Sequence, residues 1–306
     1  MTPRRPQAPG SGTSTAPAPR TGRGPGARLL DLAITGAAAR AAGPGGIRFT
    51  ERQLYYETCR VLSPAATLLT RVPRTPAPPL RLPAFTRALE ARGRESVEGL
   101  LPPVPARPPA LPRPPATPEP GEPDLYAYGL PRLLVCQDRS IARMLLANHV
   151  HLEAACPVLA ADDALPLAPR LVGALERAEG ATVHVLHDAS PEGIELPARI
   201  RAALGRVPGV RISSIGLVPR HAAALRLPTG RGPAPAPPLR PWPPALRPQE
   251  AQWLAGGRFA QVAAVSPPRL VRTVLRLTRG PRPPRNSLWV ELRGLRTTGF
   301  LTWPVS

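Results

Sequence analysis

The sequence has no lysine, few aromatic residues and only three cysteines. All 40 basic residues are therefore arginines, and against 20 acidic residues they give a net charge of +20. Cys59, Cys136 and Cys156 lie in apolar segments, which argues against a disulfide-stapled secreted domain and favours buried thiols in a reducing compartment. No apolar run approaches the length of a membrane span, and the N-terminus lacks the apolar core of a secretory signal. The sequence therefore predicts a cytoplasmic protein that has no membrane partner.

The positive charge is unevenly distributed along the chain. Residues 124–219 contain ten acidic residues and nine arginines, whereas residues 220–306 contain two acidic residues and fourteen arginines. Residues 1–27 contain arginines and no acidic residue. The absence of lysine beside abundant Ala, Pro and Gly is typical of a GC-rich genome, and this bias accounts for much of the charge. A near-neutral core between basic flanks nevertheless indicates contact with nucleic-acid phosphates, because bias alone would spread the arginines evenly.

Proline-rich segments divide the chain. The 47 prolines and 26 glycines make up about a quarter of the residues, a share that is typical of low-complexity segments. Where prolines cluster, we expect an extended, semi-rigid linker in place of packed structure. The predicted divisions are a disordered basic tail (1–27), a helical domain (28–105), a Pro-rich linker (106–123), an α/β domain (124–227), a second Pro-rich linker (228–248) and a basic C-terminal extension (249–306).

Helical patterns dominate the N-terminal half. Residues 28–42 predict a short helix that ends at Gly43, and residues 84–101 predict a later one. Between them Thr50 is an N-cap candidate, and Gln53 three residues on completes a capping box. The apolar stripe of the helix that follows consists of Leu54, Cys59 and Leu62, together with Tyr55 or Tyr56.

Short apolar segments alternate with helical patterns between residues 124 and 227. Strands separated by helices of this length predict an α/β fold with a four-stranded parallel sheet and helices on both faces. The predicted strands are 133–136, 156–159, 182–186 and 210–217, and the predicted helices are 139–148, 171–179 and 192–204. Farther on, residues 248–255 and 267–277 predict helices; the second has four arginines on one face, which is either solvated or directed at phosphates.

The third strand runs directly into the acidic turn 187–193 (HDASPEG). Asp188 therefore lies at the carboxyl end of a central strand, where open α/β sheets place ligand and metal chemistry. A purely structural alternative is that Asp188 caps the helix that follows, since aspartate is a favourable N-cap.

This turn resembles the D-x-D-P-x-G turn of Toprim domains, the metal-binding module of topoisomerases, primases and related nucleases. Asp188, Pro191 and Gly193 match the pattern, and Ser190 replaces its second aspartate. Upstream, residues 52–56 (RQLYY) resemble the R-x-x-Y-Y helix of topoisomerase VI A subunits and the related meiotic double-strand-break proteins. In that family a winged-helix domain precedes the Toprim domain. The resemblance therefore implies a winged-helix-like fold for the helical domain and a Toprim-like fold for the α/β domain.

The resemblance also implies roles for individual residues. Tyr56 would be the nucleophile that attacks DNA and Arg52 would hold the phosphate, which suits their i, i+4 spacing on a helix. The implied cofactor is Mg²⁺, held by Asp188 together with Glu192 or Asp138. DNA is the implied partner, together with a partner subunit or a second copy of the chain.

Two departures from the family pattern favour an alternative function. Gln137 stands where the first strand of the family ends in a metal-binding glutamate, and Ser190 removes a second acid. Because Mg²⁺ prefers carboxylate oxygens, these changes favour a catalytically degenerate Toprim module that acts in DNA binding or protein interaction. Tyr55 and Tyr56 would then be core aromatics. A small-molecule α/β enzyme that acts at the strand tips is a third possibility, but no cofactor motif supports it.

A histidine-rich segment invites a zinc interpretation. However, its spacing matches no established zinc pattern and no second ligand pair occurs elsewhere in the chain, so packing and surface roles are favoured. The residues concerned are His149, His151, Glu153 and Cys156.

Overall fold

A computed structural model describes residues 25–63, 77–105, 129–233 and 242–279. Its centre is a parallel sheet of four strands in the order β2-β1-β3-β4. This sheet confirms the predicted α/β class. The strands are β1 (Arg132–Cys136), β2 (Val158–Ala160), β3 (Thr182–Leu186) and β4 (Arg211–Ser214). The predicted linker 106–123 lies outside the described residues.

Eleven α-helices occur in the described residues. Three precede the sheet: α1 (Pro25–Ala42), α2 (Glu51–Leu62) and α3 (Leu82–Arg92). Six lie between or directly after the four strands: α4 (Arg139–Ala147), α5 (Val150–Ala154), α6 (Ala161–Ala164), α7 (Pro169–Arg177), α8 (Pro191–Leu204) and α9 (Pro219–Ala224). The last two are α10 (Pro248–Ala255) and α11 (Pro267–Arg279). The described helices do not include one that is both long and apolar enough to cross a membrane.

Helices cover both faces of the sheet because its central strands are apolar on both sides, as is usual for parallel strands. On one face, Leu133, Val135, Val183 and Val185 pack with α7 and α8 in one hydrophobic cluster. On the other face, a second cluster joins the sheet to the N-terminal helices and to α11. The buried members of that cluster include Ile34, Leu54, Phe85, Leu134, Leu186, Leu270 and Val274.

The N-terminal helices differ from prediction at two places. Helix α3 ends at Arg92, and the predicted helix to residue 101 is wrong because Gly93 adopts a positive φ of 91°, which ends the helix. Leu62 is 40% exposed, so the predicted stripe of α2 was wrong at its last position. Leu54, Cys59 and both tyrosines are buried. All three cysteines are free and buried, as predicted.

Helix α2 begins with the predicted capping box. The Thr50 hydroxyl accepts a hydrogen bond from the Gln53 backbone N–H at 3.2 Å, and Oε1 of Gln53 accepts one from the Thr50 N–H at 2.9 Å. Phe49, just before it, is held by backbone bonds to Gly99 and Leu101. The cap therefore fixes where the chain enters the helix that carries Arg52.

Removal of this cap should weaken the protein measurably. We expect Thr50→Ala to lower the free energy of unfolding by about 1 kcal/mol, because the backbone N–H of Gln53 loses its side-chain acceptor. Thr50→Ser keeps the hydroxyl and should lose at most half of that. Urea unfolding of both variants provides the measurement, and equal losses would show that the methyl group, and not the cap, stabilises the helix.

The C-terminal described residues pack against the rest of the chain. Strands β5 (Gly230–Arg231) and β6 (Arg258–Phe259) form a short antiparallel pair, so the predicted linker 228–248 includes one strand. Helix α11 buries Leu270, Val274 and Thr278, and its predicted helical pattern is confirmed. Of the arginines on its predicted outer face, Arg279 forms an ion pair with Glu153 at 2.9 Å and the other three are exposed.

Candidate functional site

The strand order creates a switch point between β1 and β3. From β1 the chain crosses to β2 on one side, and from β3 it crosses to β4 on the other. In open α/β sheets a crevice forms at such a point, outside the carboxyl ends of the two strands, and ligands bind there. Gln137 and Asp138 follow β1, and His187 and Asp188 follow β3. The fold therefore brings the residues predicted from the two strand ends to one place.

Gln137 fastens the two strand ends together. Its Oε1 accepts a hydrogen bond from the backbone N–H of Asp188 at 2.8 Å, and its own N–H donates to the carbonyl of Leu186 at 2.8 Å. The side chain at this position thus contacts backbone of the acidic turn and supplies no carboxylate to the switch point.

The carboxylate of Asp188 accepts a hydrogen bond from the backbone N–H of Val262 at 2.7 Å. Burial raises the pKa of Asp188 to about 6, and the negative charges of Asp138 and Glu192 act in the same direction. The Val262 N–H and the positive charge of Arg52 oppose this rise. The alternative that Asp188 caps the next helix is wrong, because Ser190 caps α8 by accepting from the Gly193 N–H at 3.1 Å.

Asp138 and Glu192, the other predicted metal ligands, lie near enough to Asp188 to affect its pKa by their charge. Asp138 also caps α4, since one carboxylate oxygen accepts from the N–H and the hydroxyl of Ser140, both at 2.7 Å. Glu192 is exposed in the first turn of α8. Over the ranges that the structure describes, no group of three or more His, Cys, Asp or Glu side chains is placed to hold a metal ion. One oxygen of Asp188 and one of Asp138 are thus already committed to protein donors.

Tyr56 points from helix α2 toward the same switch point. Its hydroxyl donates a hydrogen bond to Oε1 of Gln261 at 2.9 Å, and the side chain is 5% exposed. Burial raises the pKa of the phenol, the positive charge and hydrogen bonding of Arg52 lower it, and the negative charge of Asp188 raises it again. Tyr56, Arg52 and Asp188 therefore lie within electrostatic reach of one another, although 132 residues separate the tyrosine from the aspartate.

Tyr55 has a different environment. Its hydroxyl donates to the Leu80 carbonyl at 2.7 Å, and its ring meets Phe85 edge to face at a centroid distance of 5.5 Å. Tyr55 is therefore a core aromatic of the N-terminal helices, and of the two tyrosines Tyr56 is the one that faces the switch point.

A cleft of about 320 Å³ adjoins the switch point between α2, α4 and residues 101–104. Arg52, Arg94 and Arg143 line it together with Asp138 and Ser140. Arg94 is paired with Glu51 at 2.6 Å, whereas Arg52 is exposed. The cleft therefore presents arginine side chains beside the buried Tyr56 and the half-buried Asp188.

Sequence reasoning missed the segment that closes the site. Ala260 pairs with Ala189 through two backbone hydrogen bonds of 2.9 and 3.0 Å. The next two residues, Gln261 and Val262, contact Tyr56 and Asp188, and Arg60 donates to the Ala264 carbonyl. Residues 258–265 (RFAQVAAV) carry no recognisable motif, so no local signal could have identified them.

Fold and site together define an α/β protein with a doubly wound parallel sheet, a buried tyrosine and a half-buried aspartate at its switch point. No protein-family model, no curated protein and no solved structure matches the chain.

Proposed function

We propose that this chain is a Toprim-like DNA-binding protein whose switch point receives a DNA phosphate beside Tyr56. One observation carries the proposal: Arg52, Tyr56 and Asp188, which match the family motifs in two distant segments, meet at one switch point. The proposal includes a winged-helix-like fold for residues 28–105, a Toprim-like fold for residues 124–227, and a partner subunit or a second copy of the chain.

The chemistry that this arrangement supports is transesterification. Arg52 would hold a phosphate oxygen by a charge-assisted hydrogen bond while the Tyr56 hydroxyl attacks phosphorus. A phosphotyrosyl ester forms as one P–O bond to the DNA sugar breaks, the phenol proton is lost, and the leaving sugar oxygen takes up a proton. Asp188 has a pKa of about 6, which suits a group that accepts a proton near neutral pH. For the attack to occur, the hydrogen bond from Tyr56 to Gln261 must open.

Mg²⁺ would have Asp188, with Asp138 or Glu192, as its carboxylate ligands. Mg²⁺ commonly binds one or two carboxylates and fills its other positions with water, so the free oxygens of these side chains fit a weak site. Bound there, the ion would neutralise charge on the phosphate.

The second candidate is a catalytically degenerate module that binds DNA or another protein. It is favoured by the environment of Tyr56, a nearly buried phenol with a raised pKa and a hydrogen bond to Gln261. Gln137 favours it as well, because its amide contacts backbone where a metal-binding acid is expected. In this case the contacts at the switch point stabilise the fold, and only the arginines of the adjoining cleft contact phosphates.

Supercoiled-plasmid cleavage in the presence of Mg²⁺ or Mn²⁺ separates the two candidates. If Tyr56 is the nucleophile, Tyr56→Phe should lower cleavage at least about a thousandfold and abolish covalent attachment of protein to DNA, because no other group can form the ester. Tyr55→Phe is the matched control, since it also removes one hydroxyl from α2 but should leave cleavage unchanged.

Binding is measured separately, from the salt dependence of DNA affinity. Contacts to phosphates release counterions, so affinity should fall steeply with salt, and Arg52→Gln should reduce that slope by about one. Salt-dependent binding without cleavage by folded protein would favour the degenerate module. Folded protein that binds no DNA contradicts the transesterase and leaves only the protein-binding form of the second candidate.

A further inference from the structure

A polar patch lies at the amino-terminal end of the sheet, away from the switch point. Parallel pairing places Arg132, Thr182 and Arg211 side by side on β1, β3 and β4. Two residues farther on, His184 pairs with Ser213. Residues i and i+2 of a strand share a face, so all five side chains lie on the same face of the sheet.

A cavity of about 560 Å³ lies over this patch. The carboxyl end of α11 forms its other side with Leu277, Thr278 and Arg279. Arg279 is balanced by its ion pair with Glu153, but the described residues that line the cavity include no aspartate or glutamate. Two further arginines, Arg132 and Arg211, therefore share this cavity without an acidic side chain in its lining.

His184 supplies an independent sign of a ligand. The side chain is 7% exposed, and its Nδ1 is buried with no hydrogen-bond partner among the described residues. Burial and then the positive charge of Arg132 lower the pKa of the imidazole. An unsatisfied buried nitrogen is rare, and the imidazole that carries this one lines the cavity.

We propose that this cavity binds a phosphate group, held between Arg132 and Arg211 beside the imidazole of His184. Adjacent strands lie about 4.8 Å apart, so the Cα atoms of the two arginines are about 10 Å apart and both guanidinium groups reach a single anion. Thr182, on the strand between the two arginines, and Ser213, two residues beyond Arg211 on β4, also line the cavity and provide further hydroxyl donors. The cavity exceeds the volume of one phosphate and has room for the rest of a phosphorylated molecule. This site does not depend on the proposed function.

Calorimetric titration with pyrophosphate tests the site. Arg132→Gln and Arg211→Gln should each weaken binding about tenfold, because each removes a charge-assisted hydrogen bond. Arg199→Gln removes one exposed arginine from α8, outside the cavity, and should bind like the wild type. In ring spectra of the five histidines, pyrophosphate should shift one signal, and that signal should be missing in His184→Gln. Arg211 is exposed, so its variant carries the test if Arg132→Gln fails to fold.

Equal affinity of all three arginine variants, or no binding by folded wild-type protein, overturns the proposal.

Once pyrophosphate binding is established, a short thymidine oligonucleotide identifies the source of the phosphate. If it displaces pyrophosphate and loses affinity in both cavity variants, the ligand is a nucleic-acid backbone. If it does neither, the ligand is a phosphorylated small molecule.

Discussion

Gly193→Ala is expected to lower the free energy of unfolding by about 2 kcal/mol or more. A Cβ atom at this position would overlap the carbonyl oxygen of Asp188 and lie 2.7 Å from Oε1 of Gln137. Backbone cannot move aside as a flexible side chain can, so the first turn of α8 would have to shift away from the strand ends. Gly193 therefore allows the helix to approach the acidic turn closely. This close approach explains why a glycine is required at this position of the turn.

Gly173→Ala is the matched control, because Gly173 also lies within an α-helix. A Cβ atom there meets only the end of the Arg177 side chain, at 3.4 Å. Alanine has the higher helix propensity, so this variant should gain up to about 1 kcal/mol. Urea unfolding of both variants measures the difference, about 3 kcal/mol in all. Equal effects at the two positions would mean that the turn tolerates a side chain and that its close packing is not required.

The predictions that succeeded rest on local signals. The capping box of Thr50 and Gln53, the apolar run of β3 and the Pro-initiated helix after it are each encoded within a few neighbouring residues. Asp188 could be placed at a strand end because the switch from apolar run to helix pattern is abrupt. The same local signals predicted the parallel sheet, because strands that alternate with helices of that length usually pair in parallel.

The predictions that failed depend on tertiary contacts. Leu62 fits the apolar stripe of α2, yet it is 40% exposed at the last residue of the helix. Adjacent tyrosines cannot be distinguished by helical periodicity, and only the folded chain shows that Tyr55 packs on Phe85 while Tyr56 meets Gln261. The contact of Val262 with Asp188 spans 74 residues and has no counterpart in the local sequence.

Asp188→Asn is expected to stabilise the protein at neutral pH. The pKa of Asp188 rises from 3.8 to about 6 on folding, so the folded state binds more protons than the unfolded state between these values. Its contribution to stability is therefore greatest below about pH 4 and is lost as the pH rises through 6. Two pKa units correspond to about 3 kcal/mol; because Asp188 is partly exposed, screening reduces the expected gain to about 2 kcal/mol.

Urea unfolding at about pH 4 and about pH 7.5 tests this expectation, because only the higher pH ionises Asp188 in the folded state. The variant should be more stable than the wild type at the higher pH and nearly equal to it at the lower one. Glu176→Gln removes a carboxylate from an exposed position of α7 and should change stability by less than about 0.5 kcal/mol at either pH. A loss of stability in Asp188→Asn at both pH values would show that the ionised carboxylate serves the fold.

The expected gain has a functional meaning. An asparagine oxygen can accept the Val262 N–H as well as a carboxylate does, so the hydrogen bond alone gives no reason for an acid at this position. A half-buried carboxylate that lowers stability at the switch point, within electrostatic reach of Tyr56 and Arg52, is typical of a site kept for binding or chemistry. Stabilisation by Asp188→Asn together with loss of plasmid cleavage would therefore support the transesterase proposal. If Asp188→Asn stabilises the protein but changes neither DNA cleavage nor DNA binding, Asp188 would instead serve a ligand other than DNA.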